Sequence, residues 1–516
     1  MLLLHGRHTS CTSPAGSGGV SNPLRWPCGP NQVNIPSFAG YDGTARALAS
    51  HGYAVVSIAA NAVNSNDNEL ALDRGAQARG QLLLDTLTML DKASKGEPVS
   101  YRDTQKDKDV TLADALADQG PLPGLTVGTE GLSAADFVGR FDLTNVGMMG
   151  HSRGGEGVTS AATLNQALDK PWGIKTILPL APVDFNRMTV PNVAMNVVLP
   201  YCDGDVSNQQ GQHMLDDTRY AFDDNSLRSA VWAMGANHNF YNTVWTPGVY
   251  PYVVSDDWGA TSTDAVCGPR SATNIRMTAQ EQYDMGTAYM AGWFRLTMGD
   301  EKQFLPMFDG SGAVPAVLNG EDIRSVSTAP ASERATIATF ESTSSLIRTQ
   351  GAATATLCAS AWGRTLPTQL PTCSTAIGTS ATPHWTPATN GGNVPATPMT
   401  KLSWTALSTG TTTQTPSEVR VTVPAAARKA IGYDRLSVKM AADESVLTGT
   451  DVKITVVDGS GVTYSSPVSA LNSLAVSRMP ASTSPTELST EEDRAAAGQH
   501  RDVDARRRRT QPGGHP

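Results

Sequence analysis

No stretch of the 516-residue sequence approaches the ~20 consecutive apolar residues that a membrane-spanning helix needs. Basic charge is also short. The net charge is −9, so the chain lacks the positive face that phosphate contacts require, which argues against nucleic acid as a partner. The one basic run, Arg506 to Arg509, lies in a polar tail and reads as a solvated end. No CxxC pair or His-rich tract offers a zinc site, so neither a metal nor another cofactor is expected. A secretory leader is missing too: Met1-Leu2-Leu3-Leu4 is too short and runs at once into His5-Gly6. Leu2 to Leu4 instead reads as a buried strand entering a loop. Proteins seldom begin inside a core strand, so the chain is expected to lack its natural start. No internal repeat is visible.

Cysteine is sparse but even in number. Cys11/Cys28 and Cys358/Cys373 are close pairs in loop-like sequence, and Cys202 and Cys267 remain. Six cysteines allow 15 pairings. Local spacing favours Cys11–Cys28 and Cys358–Cys373, which leaves Cys202–Cys267. Bridges in Thr- and Ser-rich loops imply an oxidising, extracellular setting; the competing reading is six free thiols in a cytosolic enzyme.

What is present is an alternation of short apolar runs and helical patterns over residues 1–305, which predicts an α/β unit around a mostly parallel sheet. The expected strands are Leu2–Leu4, Tyr53–Ile58, Val146–Met149, Ile174–Leu180, Met195–Leu199 and Ala230–Met234. The expected helices include Thr44–His51, Gln77–Lys92, Gly155–Lys170 and Thr278–Met298. Residues 93–136 and 241–275 are too long for ordinary connections and read as insertions or lids. Residues 306–334 read as a linker. From residue 335 to 480, Thr and Ser rise and short alternating runs appear: Ala335–Phe340, Glu418–Val423, Arg435–Met440 and Val452–Val457. Asp458-Gly459 is a hairpin signal after the last of these. This predicts a smaller all-β, sandwich-like domain. Residues 481–516 are expected to be disordered.

The chemistry centres on Gly150-His151-Ser152-Arg153-Gly154. A GxSxG string alone is a weak signal. Here it stands between an expected strand and an expected helix, the context of a strained turn that presents a nucleophilic serine. Glycines two residues either side let strand and helix approach. A serine hydroxyl needs an imidazole to take its proton. Of the histidines beyond the turn, His238 lies just past a strand in Gly235-Ala236-Asn237-His238-Asn239-Phe240, whereas His213 reads as an exposed residue of a surface helix. An acid should orient the imidazole. Asp203 and Asp205 of Cys202-Asp203-Gly204-Asp205 compete, with Asp205 preferred because it follows a small residue and precedes an aliphatic one. The loser is expected to cap a helix starting near Ser207. Oxyanion donors are expected from the backbone N–H groups of Arg153 and Arg7, the latter in the loop His5-Gly6-Arg7-His8. The Arg7 and Arg153 guanidiniums face substrate or make surface pairs.

These strings resemble α/β-hydrolase-fold esterases. Leu3-Leu4-His5-Gly6, Gly150 to Gly155, Cys202 to Asp205 and Gly235 to Phe240 are most similar to secreted actinobacterial-type hydrolases related to cutinase-like polyesterases, platelet-activating-factor acetylhydrolase and dienelactone hydrolase. The resemblance covers a little over half the chain. It implies carboxylic-ester hydrolysis through an acyl-enzyme, with Ser152, Asp205 and His238 as the triad, no cofactor, a small-molecule, lipid or polymer ester as partner, and a monomer. The chain departs from that family in lacking the first two strands, which leaves Tyr53–Ile58 at a sheet edge, and in its long insertions. Two alternatives remain: a serine peptidase on the same fold, and a secreted carbohydrate- or polymer-binding protein with a secondary or inactive hydrolase core. Trp362, Trp385 and Trp404 could stack on sugars in the second case, or pack as core.

Overall fold

The computed structural model describes residues 1–13, 25–67, 71, 73–103, 107–117, 131–207, 209–249, 256–318, 320–359, 370–371, 398–405, 415–443, 446, 449–477 and 501–504. Its centre is a seven-stranded sheet. In chain order the strands are β1 (Leu2–Leu4), β2 (Val56–Ile58), β3 (Val146–His151), β4 (Ile174–Leu180), β5 (Ala194–Pro200), β6 (Arg228–Ala233) and β7 (Ile323–Thr328). Their spatial order is β7-β6-β5-β4-β3-β1-β2. All neighbours pair in parallel except β6 and β7, which run antiparallel.

The apolar runs become strands because side chains alternate across the sheet and both faces are covered. Leu2 and Leu4 join Met148, Ile177, Val197 and Leu199 on one face. There they meet α2 (Ala76–Ser94), through Leu83, Leu84, Leu87 and Leu90, and α3 (Arg153–Gln166), through Val158 and Ala161. Leu3 joins Met149, Leu178, Leu180, Val198 and Val231 on the other face. That side is covered by α1 (Asp42–Ala49) and α5 (Ala279–Gly299), which contributes Met285, Tyr289, Trp293 and Phe294. Thr278 caps α5 with Glu281 in a reciprocal capping box.

The expected α/β unit is present, with its elements displaced by a few residues at their ends. Three expectations are corrected. The linker contains β7, whose alternating Ile323, Ser325 and Ser327 register against β6 and extend the sheet. Ala335–Phe340 is not a strand; Thr400 and Arg219 bind its end by hydrogen bonds to Phe340 and Glu341. His213 is buried, because α4 (Gln212–Thr218) packs on β5 and β6 and the His213 ring lies 3.3 Å from Asp184.

Beyond β7 the described residues form two-stranded antiparallel ribbons rather than one sandwich: Ile347–Gln350 with Glu418–Val421, Thr354–Ala359 with Pro398–Ser403, and Lys453–Val457 with Thr463–Pro467. The last is the hairpin signalled by Asp458, whose carboxylate accepts the N–H groups of Ser460 and Val462. Arg501–Asp504, within the expected disordered tail, pairs with Ser437–Met440. Trp404 is 44% exposed, while Trp362, Trp385 and the Arg506–Arg509 run lie outside the described residues. Among the described residues no helix is long and apolar enough to cross a membrane.

Two of the expected disulfides are formed, Cys11–Cys28 and Cys202–Cys267; Cys373, and so the pair Cys358–Cys373, lies outside the described residues. Cys202–Cys267 closes a loop with a sequence separation of 65 against 17 for Cys11–Cys28. Chain-entropy arguments assign about 4 kcal/mol to the longer loop and about 3 kcal/mol to the shorter. Replacing Cys202 and Cys267 together by serine is expected to lower the denaturation midpoint more than replacing Cys11 and Cys28. Equal urea midpoints for the two variants would refute that ranking.

Candidate active site

The sheet order reverses between β1 and β3: the chain moves from β1 outward to β2, then returns to β3 on the other side. In open α/β sheets, ligand sites lie beyond the carboxyl ends of strands at such a point. The loops leaving β1 and β3 carry Gly6-Arg7 and Ser152.

Ser152 is the hinge between β3 and α3. Its backbone sits at φ 58°, ψ −124°, a conformation that costs a non-glycine residue about 1–3 kcal/mol. The neighbours over-determine it: Ser152 N–H donates to Leu180 O at 2.8 Å, and Ser152 O accepts from Gly155 N–H at 2.8 Å. The close crossing explains the glycines. A Cβ on Gly150 would stand 1.9 Å from Gly154 O, and one on Gly154 would stand 2.5 Å from Leu4 O. Ser152 is only 3% exposed, and the first turn of α3 begins directly after it, placing the positive helix end beside the hydroxyl.

Gly6 lies against the serine; a Cβ there would meet Ser152 Cβ at 2.5 Å. The Gly6 carbonyl is held by His5 Nδ1–H at 2.9 Å and by the Asn64 amide at 3.1 Å. His5 Nε2 accepts Ala60 N–H at 2.8 Å, so the ring proton must be on Nδ1. Burial lowers the His5 pKa to about 3, which keeps it neutral. The Gly6–Arg7 peptide is trans, so the Arg7 N–H points away from that anchored carbonyl. The Arg153 guanidinium is drawn into a buried cluster: it contacts Asp67, which also binds Arg79 at 3.1 Å, and it lies over the Phe185 ring at 5.5 Å.

The expected base and acid come together, but with the carboxylates exchanged. His238 Nδ1 binds Asp203 Oδ2 at 2.8 Å, and both residues are buried. Asp205, the preferred acid, has a side chain 64% exposed and stands 3.4 Å from the other ring nitrogen, Nε2. The reason is local. Asp203 Oδ1 accepts the N–H groups of Asp205 at 2.9 Å and Val206 at 2.6 Å, a turn that faces Asp203 inward and turns Asp205 out. Asp203 therefore serves as both turn-former and histidine partner. The expected helix start near Ser207 is not there; α4 begins at Gln212.

Sequence reasoning missed four contributors. Asp257, in the 241–275 insertion, accepts His238 N–H at 3.0 Å and Gly204 N–H at 2.7 Å, tying the acid and base loops together. Trp258 donates to Cys202 O at 2.6 Å, and the Cys202–Cys267 bridge fixes the same segment. His151 and Tyr41 complete the setting below. Asp257 carries no spacing signal, because it reaches the site from an irregular segment. His151 stood inside the GxSxG string but had no role assigned.

Burial by itself would lower the His238 pKa, but Asp203, Asp205 and Asp257 outweigh it and raise the pKa to about 9. Asp203 is pushed above the ordinary carboxylate range by burial, against the pull of the imidazole. Burial and the Asp203 charge raise Asp257 to about 6. Asp203 and Asp205 stand at the two ring nitrogens of His238, and Asp257 binds the backbone N–H of the same residue. His8, stacked on Trp245 with ring centroids 4.9 Å apart, is lowered by burial to about 4.

An imidazole that must accept a proton is competent only when neutral. With its pKa near 9, that form is scarce at pH 7 and grows about tenfold per pH unit until pH approaches 9. The acid limb of kcat/KM for a Ser152-dependent reaction is therefore expected well above the ordinary imidazole value of about 6.5. Asp205→Asn, which removes one raising charge, should move the limb to lower pH. Identical limbs near pH 6.5 in both proteins would contradict the assigned environment. Comparison with protein-family models finds no match to this sequence, and no curated protein matches it either.

Proposed function

We propose that the chain is a serine hydrolase of the α/β-hydrolase fold, cleaving carboxylic esters through an acyl-enzyme on Ser152. The observation that carries this reading is the strained Ser152 turn at the reversal of strand order, together with a buried His238–Asp203 pair after later strands of the same sheet.

In this reading Ser152 Oγ attacks the ester carbonyl and its proton passes to His238 Nε2. Asp203 holds Nδ1–H, fixes the tautomer and stabilises the imidazolium that forms. The carbonyl oxygen takes the negative charge, and the N–H groups of Arg153 and Arg7 donate to it. Collapse expels the alcohol, which takes the proton back from Nε2. Water then repeats the sequence on the acyl-enzyme and frees Ser152. The disulfides support an oxidising compartment and hence a secreted protein.

The reading is tested with p-nitrophenyl acetate, butyrate and palmitate. Wild-type protein should hydrolyse at least one of them, and Ser152→Ala should lower kcat/KM by roughly 10⁴-fold or more. Asp203→Asn should cost roughly 10⁴-fold in kcat by leaving the wrong tautomer, whereas Asp205→Asn should keep most activity at alkaline pH. Turnover that survives Ser152→Ala would remove the nucleophile assignment. The reverse ranking of the two aspartates would restore Asp205 as the acid.

A further inference from the structure

His151 is wholly buried at the end of β3, between the nucleophile and the base. Its Nε2 lies 3.0 Å from the backbone carbonyl of His238, and its Nδ1 lies 3.0 Å from the Tyr41 hydroxyl. A carbonyl has no proton to give, so Nε2 carries the hydrogen. Nδ1 of the neutral ring is then an acceptor, and Tyr41 donates to it. Burial holds the His151 pKa well below its ordinary value, in keeping with a neutral ring. The ring is also packed against His238 and Trp245, with centroids 5.0 and 4.7 Å away, and edge-on to Tyr241 at 6.1 Å.

Every polar atom of His238 has a neighbour. Its N–H goes to Asp257, its carbonyl to His151 and its Nδ1 to Asp203, while Nε2, the nitrogen the reaction would use, faces the exposed Asp205 carboxylate at 3.4 Å. Of these holds, the one from His151 comes from the residue adjacent to Ser152. It links the loop of the base directly to the strand of the nucleophile, across the width of β4 and β5.

We propose that His151, locked in its Nε2–H tautomer by Tyr41, is a positioning residue that sets the register between His238 and Ser152. This rests on the hydrolase reading above. Proton transfer depends steeply on such register: a displacement of about 1 Å can cost roughly 10²-fold in rate. Substrate binding does not require the contact, so the loss should fall on kcat.

The test compares wild type, His151→Leu, His151→Gln and Tyr41→Phe on p-nitrophenyl butyrate, with the thermal midpoint measured for each. Covalent labelling of Ser152 by a fluorophosphonate is followed in parallel. His151→Leu keeps bulk but loses the donor; kcat should fall roughly 10²-fold with KM within about threefold, and labelling should slow in step. His151→Gln, whose amide can donate to the His238 carbonyl, should recover at least about tenfold of that loss. Tyr41→Phe frees the tautomer, and kcat should fall about three- to tenfold at an unchanged midpoint. This variant carries the test if His151→Leu does not fold. A folded His151→Leu with wild-type kcat overturns the proposal, as does a folded His151→Gln no better than leucine, or Tyr41→Phe with wild-type kcat. In those cases an active, labelled wild type leaves the hydrolase reading standing. A wild type that neither turns over ester nor labels at Ser152 overturns that reading, and this assignment with it.

Discussion

The geometry of the site depends on one backbone constraint: Ser152 must hold a positive φ while strand β3 turns into helix α3 within a single residue. That turn is possible only where two chain segments nearly touch, hence glycine at 150 and 154, where any Cβ would collide with backbone. The turn also brings Gly154 against the end of β1, where a Cβ would stand 2.5 Å from Leu4 O. Gly6 then comes to rest against the serine, and its peptide is fixed by His5 and Asn64. A strain of about 1–3 kcal/mol is small beside the burial of both sheet faces, so the sheet can hold the turn rigidly. The constraint transmits the fold to the site: β3, β4 and the loop leaving β1 all bond or abut Ser152.

The second feature is a concentration of buried charge. Asp203 and His238 are both buried, and Asp257 joins them from a separate segment. Charges removed from water need partners, and here each carboxylate oxygen facing the base loop accepts a hydrogen: Asp203 Oδ1 from two backbone groups, Asp203 Oδ2 from the imidazole, Asp257 Oδ2 from two more backbone groups. These bonds cross between residues 202–206, 238 and 257, which the Cys202–Cys267 bridge also ties. The long insertion is therefore part of the site's framework rather than a separate lid.

Much of this was legible in the sequence for a simple reason. Buried parallel strands are nearly continuous apolar runs, and β1, β3, β4, β5 and β6 stood out as such. Ser152 and His238 were legible because each follows such a run. The choice between Asp203 and Asp205 was not, since it turns on which side chain folds back onto the N–H groups of Asp205 and Val206. β7 was hidden because only three of its six residues could be apolar or small in alternation, and an antiparallel edge strand in Ser- and Thr-rich sequence looks like a linker. His213 misled for a related reason: a mostly polar helix reads as exposed, yet this one is buried, with Met214 and Leu215 in the core and its polar side chains held by ion pairs such as His213–Asp184 and Arg219–Asp216.

The histidines give the last step. His5, His151 and His238 are buried and His8 is part-buried, yet of these four only His238 is raised above the ordinary imidazole range. The difference lies in what faces each ring. His5 and His151 bind backbone groups or a tyrosine hydroxyl, and His8 stacks on Trp245, so burial prevails and each stays neutral. His238 faces carboxylates, which reverse the sign. The effect is mutual, because positive charge on His238 further lowers His8 and His151. Neutral neighbours in turn do not compete for the carboxylates. The four clustered imidazoles thus comprise one group with a raised pKa among neutral rings, the arrangement that a single proton transfer would need under the proposed hydrolase reading.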